Sequence, residues 1–588
     1  MTVQIKKSYL IGKKGERMKK LIFKRSILFN LIITFVLITT FAFAQTAEQI
    51  PKTQEEIEKE KRLREKIEKE APKVEIEEKI PAALLAPKAE EAKVFIKSIT
   101  VTGVSFLSEQ EVRKIVSNFE NQELNLAQMQ KVADLITDAY RKKGYITSRA
   151  YLPPQKIETG ILEVRVLEGI TGDIEVKGNR YFKKSIYLKK ILLKKGSPFD
   201  YNILKKGVSK INASKDRNVR TILAPGKEPG KTDIVLEAKE RLPLHIGFDF
   251  DNFGSRYIEN DRYTLSFTHN NLLGLDDKLS FQYQLAQSKR YFLKNVRYLL
   301  PLTNTLELGA FLSFSRVKLG KEYKDLDTRG KSRIYGLFLN KSLLDEENIT
   351  LGFNIGFDYK DARNYQNQVL TSEDRIRVLK LGADLDILDS FGRSLFSPEI
   401  DFGIPNIMGG LREQDPKSSR SGAGGKFIKT NLNIIRLQKM PFSSTILWKN
   451  QIQISPYILP STEEFQIGGI TNNRGYPPAE VVGDKGYAST LEWSFPFYPL
   501  PKQIKVPLSE TKLYDALRVI IFYDWATARL RRPIGTEEKR RTLRSLGCGL
   551  RFNLAEDFSL RIETGWPLDN SPSDSDHAHT WIEVSKQF

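Results

Sequence analysis

The C-terminal part of the chain alternates apolar and polar residues with a period of two. Ile246, Phe248 and Phe250 alternate, as do Tyr263, Leu265 and Phe267. Leu279, Phe281, Tyr283 and Leu285 do so with Ser280, Gln282 and Gln284 between them. The pattern continues in Leu351, Phe353, Ile355, Phe357 and Tyr359, and in Val519, Ile521, Tyr523 and Trp525. Period two sends successive side chains to opposite faces of a strand. One apolar and one polar face, sustained over residues 244–588 with aromatics near strand ends, predicts a transmembrane β-barrel. A soluble sandwich also alternates. Strands of roughly ten residues between long polar loops favour the barrel. At about 20 to 22 residues per strand and loop, the segment holds about 16 antiparallel strands.

Upstream, the periodicity changes. In 93–169, "KVFIKSITVTGVSFLSEQEV" reads as strand, turn at Gly103 and a helix capped by Ser108 with Glu111 at the box position. A second helix ends at Gly144, and two strands follow. This β-α-α-β-β order predicts a small α+β domain. Residues 170–243 repeat it, with "GDIEVKGNRYF" echoing "KSITVTGVSFL". Residues 45–92 are charged and low in complexity. They read as a polar helix and linker, with acid-to-base pairs at helical spacing.

The first 44 residues carry nine Lys/Arg against one acid, then the apolar run Ile27–Ala44 ending Ala42-Phe43-Ala44. That predicts a cleaved secretory signal peptide at 1–44. It also accounts for +8 of the net charge of +21. The remaining charge is spread widely, with no arginine-aromatic platform, so nucleic acid is not an expected partner. Cys548 is the only cysteine, which excludes an internal disulfide. No catalytic constellation supports an enzyme, and no cofactor is expected. "SDSDHAH" (Ser573 to His579) reads as a solvated loop and not as a metal site.

Two exported modules followed by a barrel resemble the two-partner secretion transporters, the hemolysin secretion/activation proteins of the ShlB/FhaC/HecB group. These belong to the superfamily of outer-membrane translocases that bear POTRA domains. Tyr145-Ile146-Thr147-Ser148-Arg149-Ala150 with Pro154 and Gln155 is similar to the first POTRA domain of that family. "INASKDRNVRTILAPGKEPGKTDIVLEAKER" resembles the second. "DFDNFGSR" and "NNLLGLDDKL" resemble the opening of the barrel, and "GCGLRFNLAEDFSLRIETGWPL" its close. The terminal Phe588 resembles the signal read by the barrel-assembly machinery. Arg474-Gly475-Tyr476 resembles the V-R-G-Y/F tip of a loop folded into the barrel, with Asn473 where Val is usual. Gly483-Asp484-Lys485-Gly486 matches the following G-D-x-G. Phe522-Tyr523-Asp524-Trp525-Ala526 resembles the F-x-D-x-G wall motif, with Ala526 in place of glycine.

The resemblance implies an inward loop at 468–488 whose Arg474 pairs with Asp524. The residues support this independently. Period two puts Phe522, Asp524 and Ala526 on one face, opposite the apolar Ile521, Tyr523 and Trp525. With the apolar face in lipid, Asp524 faces the lumen and needs a partner. Arginine suits it, because its planar fork bonds a carboxylate twice. Gly475 is expected to let the tip turn, and Tyr476 to lean on the wall. The implied function is secretion of a large partner exoprotein, adhesin- or hemolysin-like, across the outer membrane. The POTRA domains lie in the periplasm and receive the client, with Tyr145, Arg149, Pro154, Gln155 and the basic Lys183 and Lys184 as expected contacts. Outer-membrane lipid and the assembly machinery are the other expected partners. In relatives an N-terminal helix plugs the pore, and residues 55–70 are the counterpart here. An outer-membrane protein insertion factor and a passive porin or receptor are the alternative readings.

Overall fold

The computed structural model describes residues 75–78 and 93–588, apart from 322–323, 326, 508, 510, 534–537, 555–557 and 570. The expected signal peptide and the proposed plug helix lie outside these residues. Glu75–Glu78 (β1) was expected in the charged helix or linker and instead forms a strand. It runs parallel to an otherwise free sheet edge, pairing Glu75–Glu78 with Arg220–Leu223. Ile76 packs on the core there and Glu77 pairs with Arg220, so a sheet edge overrides the helical charge pattern.

The first module comprises β2 (Lys93–Ile96), β3 (Ser98–Thr102), α1 (Glu109–Val116), β4 (Gln122–Asn125), α2 (Leu126–Lys142), β5 (Arg149–Tyr151) and β6 (Ile161–Leu167). Ser108 and Glu111 form the predicted capping box of α1. The second comprises β7 (Ile170–Lys177), α3 (Lys184–Lys190), α4 (Tyr201–Asn212), β8 (Arg217–Pro225) and β9 (Lys231–Glu240). Each buries its helices' apolar stripe on one sheet, around Val132, Ile136 and Val164 in the first and Leu204, Val208 and Leu236 in the second.

The repeat is chemical as well as topological. Gly103 and Gly178 each turn with positive φ after the first long strand of their module. A Cβ there would sit 2.4 Å from the Val166 carbonyl oxygen or 2.5 Å from that of Ala238. Two residues beyond those carbonyls, Glu168 and Glu240 gather the N–H groups that follow each glycine. Glu168 accepts from the amides of Ser105 and Phe106 and from the Tyr140 hydroxyl. Glu240 accepts from the amides of Arg180 to Phe182 and from the Tyr187 hydroxyl. Burial first, and then the facing carboxylate, push both phenols up, so they remain donors.

The barrel contains β10 (Leu244–Asp251), β11 (Arg262–His269), β12 (Lys278–Ala286), β13 (Tyr291–Pro301), β14 (Leu306–Lys318), β15 (Arg329–Glu346), β16 (Ile349–Gln366), β17 (Val369–Asp389), β18 (Gly392–Gly403), β19 (Phe427–Met440) and β20 (Ser444–Ile454). A short hairpin follows, β21 (Phe465–Ile467) and β22 (Val481–Gly483). The barrel then resumes with β23 (Lys485–Pro496), the turn of helix α5 (Leu513–Ala516), β24 (Leu517–Arg529), β25 (Arg541–Leu554), β26 (Phe558–Pro567) and β27 (His579–Gln587). Sixteen strands, all but the hairpin, form one closed antiparallel sheet with β10 against β27. Closure pairs every strand edge, as a sheet in lipid requires. Leu265, Leu337, Phe353, Leu491 and Leu546 are exposed on the outer face. Gln284, Asp358, Lys429 and Asp524 are buried on the inner one. Strands β15 to β17 are 18, 18 and 21 residues long, beyond the expected ten. About 9–11 residues cross a bilayer, so these hairpins project past it, carried by their own ladders.

The second module docks on the turns at one end of the barrel. Arg217 is buried, caps the end of α4 through the Ile211 carbonyl and grips Asp276 with both Nη atoms, at 2.6 and 3.1 Å. Lys190 adds a 2.7 Å contact to Asp276. Lys205, Lys206 and Lys210 face Glu347, Glu346 and Asp345. Burial alone would raise the Asp276 carboxyl, but Arg217 and then Lys190 hold it below the ordinary range. A carboxyl lowered in the docked state stabilises docking at every pH above its free value of about 3.9 and loses that contribution only as pH falls through the lowered value. Docking, read by spin-label distances between module and barrel, should therefore persist near pH 5 (about one unit above that value) and fail only below about 4. Asp276→Asn should weaken it at neutral pH by about 3 kcal/mol, because it strands a buried guanidinium.

Candidate functional site: an inward loop locked to the barrel wall

The connection between β20 and β23 returns into the barrel. Its inward part was expected at 468–488. The strand resumes earlier, at Lys485, and Gly486 therefore lies on β23. A side chain at Gly486 would meet the Phe465 ring at 1.9 Å, which explains the glycine without a turn.

Arg474 is at the tip and fully enclosed. Its Nε and Nη2 bond the two Asp524 oxygens at 2.9 Å each, and its amide also donates to Asp524 at 3.0 Å. Its Nη1 reaches Glu492 and Glu563, both at 2.9 Å. The guanidinium lies 3.3 Å over the centroid of the Phe522 ring. Arg551 forks onto Glu492 and also bonds Glu563. Arg561 forks onto Glu563. Three guanidinium groups, from the loop, β25 and β26, thus face three carboxylates, from β23, β24 and β26. The cluster is balanced in charge, and planar forks fill each other's bonding sites.

Small residues let the tip approach. A Cβ on Gly475 would sit 2.5 Å from Ser545 Cβ, and one on Gly565 would sit 2.6 Å from the Arg474 carbonyl carbon. Gly547 leaves room for the Phe522 ring, which a Cβ would meet at 2.1 Å. Gly475 thus serves close packing. The positive-φ turning glycines of the loop are Gly468 and Gly469, so the expected turn at Gly475 is corrected. Tyr476 is buried against Ala526, Ala528 and Leu543. Ala526 supplies a methyl group to that cluster. Asn473 donates to the Leu543 carbonyl at 2.9 Å, so the amide is tied to the wall.

A second anchor forms at the loop's return. Asp484 is buried and accepts from Arg420 at 2.8 Å and from the amides of Leu459 and Arg531 at 2.6 Å each. Gly483 packs on β24, where a Cβ would lie 2.5 Å from the Arg529 nitrogen. Glu464 also bonds Arg420. Glu480 bonds Arg541 and Ser573.

With loop and wall assembled, comparison with known proteins decides the family. The description "haemolysin secretion/activation protein ShlB/FhaC/HecB" matches residues 230–514, and the ShlB-type POTRA domain matches 94–169. The chain belongs to the ShlB/FhaC/HecB family. The heme/hemopexin transporter protein HuxB of Haemophilus influenzae is 23% identical over 505 residues, 81% of this chain and 84% of the relative. The outer membrane transporter CdiB of Escherichia coli is 24% identical over 69% of this chain and 70% of its own. The solved CdiB from Escherichia coli superposes with a TM-score of 0.70 at 20% identity, covering 92% of this chain and 100% of that one. BamA from Haemophilus ducreyi shares the fold at a TM-score of 0.52 and 14% identity, over 84% of this chain and 100% of the solved one. As a member of the ShlB/FhaC/HecB family the protein is an outer-membrane transporter that secretes an exoprotein, with its POTRA domains in the periplasm.

The expected client residues do not gather at one place. Tyr145 packs beside Phe106 and Tyr140 in the first core. The Gln155 side chain pairs with both backbone groups of Glu163, as a strand would. Arg149 is exposed on edge strand β5, and Pro154 is exposed nearby. Lys183 and Lys184 are exposed at the start of α3. The Lys183 ammonium lies 3.0 Å from where a Gly274 side chain would begin, so it faces a barrel turn. Phe588 is exposed, and its backbone closes the seam on Ile246.

Sequence reasoning missed Glu492, Arg551, Arg561 and Glu563. Each is an inward residue on an alternating strand, but nothing in one sequence shows which inward charges meet. Gly547, Gly549 and Gly565 left a clearer trace, as period-two glycines on strands that pair Gly547 with Gly565. His579 was expected in a solvated loop. Its side chain is 10% exposed at the start of β27, held between Asp574 and the Gly475 carbonyl of the inward loop.

Gly565→Ala should displace the tip while leaving the β25–β26 ladder intact. The check is a higher protease cleavage rate at Arg474 with unchanged heat-modifiable migration of the folded barrel. A cleavage rate equal to wild type would show that the tip does not depend on this close approach.

Proposed function

We propose that loop 468–484 is the gate of the secretion pore and that the Arg474 cluster holds it in the resting position. The observation that carries this reading is the guanidinium shared by Asp524, Glu492 and Glu563 across the lumen wall. A passive pore has no use for a buried, charge-balanced clamp on a loop that fills it. A pocket of about 280 Å³ inside the barrel is lined by groups such as Asp358, Lys380, Asp401 and Lys429. The client is a large exoprotein of the adhesin or haemolysin class, received in the periplasm by the POTRA domains. Edge strands such as β5 offer it backbone hydrogen bonds, with neighbouring side chains giving selectivity. Phe588, exposed at the seam, suits recognition by the barrel-assembly machinery.

The test is secretion of the partner by Arg474→Ala and Asp524→Asn variants whose barrels are folded in the outer membrane. Each change leaves buried charge unmatched, at a cost of about 3–5 kcal/mol to the locked state. Secreted partner should fall at least tenfold, and resting ion conductance should rise. Arg474→Lys should recover only part of the activity, since an ammonium makes no fork. Exchanging the charges of Arg474 and Asp524 should restore little, because Glu492 and Glu563 would still face an introduced acid. Normal secretion by both single variants would return the loop to a structural role.

A further inference from the structure

Two further side chains reach the same dipeptide, both from the last strand. Trp581 Nε1 donates to the Arg474 carbonyl at 2.7 Å. His579 Nδ1 lies 3.0 Å from the Gly475 carbonyl oxygen. They are two residues apart on β27 and so share its inner face. Trp581 is 3% exposed, and the two rings stack with centroids 6.0 Å apart and planes at 19°. β27 is also the strand that closes the barrel. Its ladder to β10 runs from Gly247↔Gln587 to Asp251↔Glu583. Beyond that the Asn252 side chain continues the pairing, accepting from the Ile582 amide at 2.7 Å and donating to the Thr580 carbonyl at 2.8 Å.

We propose that Trp581 and His579 are positioning residues that hold the main chain of the Arg474–Gly475 tip, so that release of the loop is coupled to the strand that closes the barrel. This rests on the gate reading above. The charge cluster grips the Arg474 side chain and its amide, but not the two carbonyls that follow. Two hooks on those consecutive carbonyls add a separate hold on the main chain.

The histidine makes the hold depend on protonation. Its Nε2 faces the Asp574 carboxylate at 2.9 Å, so an acceptor stands at each ring nitrogen. A neutral imidazole donates only one proton, whereas the imidazolium donates to both. Two carboxylates stand beside the ring, Asp574 and Asp576, both from the stretch just before β27. Gly565, opposite on β26, carries no charge, nor does Trp581, and the Arg474 guanidinium is turned away to Asp524. The loop is therefore held more firmly in acid and released more readily as the ring loses its proton.

The experiment measures the open fraction of the purified full-length transporter in planar bilayers, at about pH 5.5 and about pH 8. His579→Phe and Trp581→Phe keep an aromatic ring and remove the donors. Wild type should open more at the higher pH. Trp581→Phe should raise the open fraction about 5-fold at both values and keep the pH step, as expected for one lost hydrogen bond. His579→Phe should be high and flat, and Asp574→Asn should shrink the step. Heat-modifiable migration confirms that each barrel is folded, and Asp574→Asn carries the test if an aromatic variant is not. Asp524→Asn is the reference. If it opens the pore while the His579, Trp581 and Asp574 variants match wild type, the latch is wrong and the gate stands. If Asp524→Asn also matches wild type, the gate fails and the latch with it.

Discussion

A guanidinium taken out of water must be met by matching negative charge and acceptors, and the lumen is arranged around that demand at Arg474. Its partners sit on β23, β24 and β26, and β25 contributes a second arginine that keeps the carboxylates balanced. No single hairpin carries the set. The cluster exists only once these strands are paired in register, so loop position and barrel closure are tied together.

That arrangement suits a part that moves. Burying ion pairs costs desolvation energy of a size similar to the attraction gained, so such a cluster adds little net stability while strongly disfavouring mismatched positions. The loop is thereby specified in place without being bonded irreversibly. Steric fit adds to this, because the tip packs where Gly475 and Gly565 lack side chains. Together, charge and shape define one resting position.

The periplasmic half uses the same economy of parts twice. In each module one carboxylate, Glu168 or Glu240, collects the N–H groups freed by a glycine turn and adds a tyrosine hydroxyl. The second module then spends its basic residues on the barrel turns, through Arg217, Lys190 and the α4 lysines. The edge of β8 is likewise occupied, by the chain's own Glu75–Glu78.

The architecture was legible because it follows from local patterns. Period two implies strands with one lipid face, the Ser108–Glu111 box marks a helix start, and a repeated turn glycine marks a repeated module. The pairing of Arg474 with Asp524 was legible through two motifs read together. Glu492, Glu563 and Arg551 were not, since alternation shows that a charge points inward but not which others it meets across the ladder. Trp581 and His579 were hidden for a further reason: their bonds go to backbone carbonyls, which carry no sequence signal. The sequence by itself determined most element types, the barrel and the identity of the loop's arginine. Only the tertiary structure decided the register and closure that bring four strands to one guanidinium, because a contact between distant inward positions depends on strand stagger and not on any local propensity.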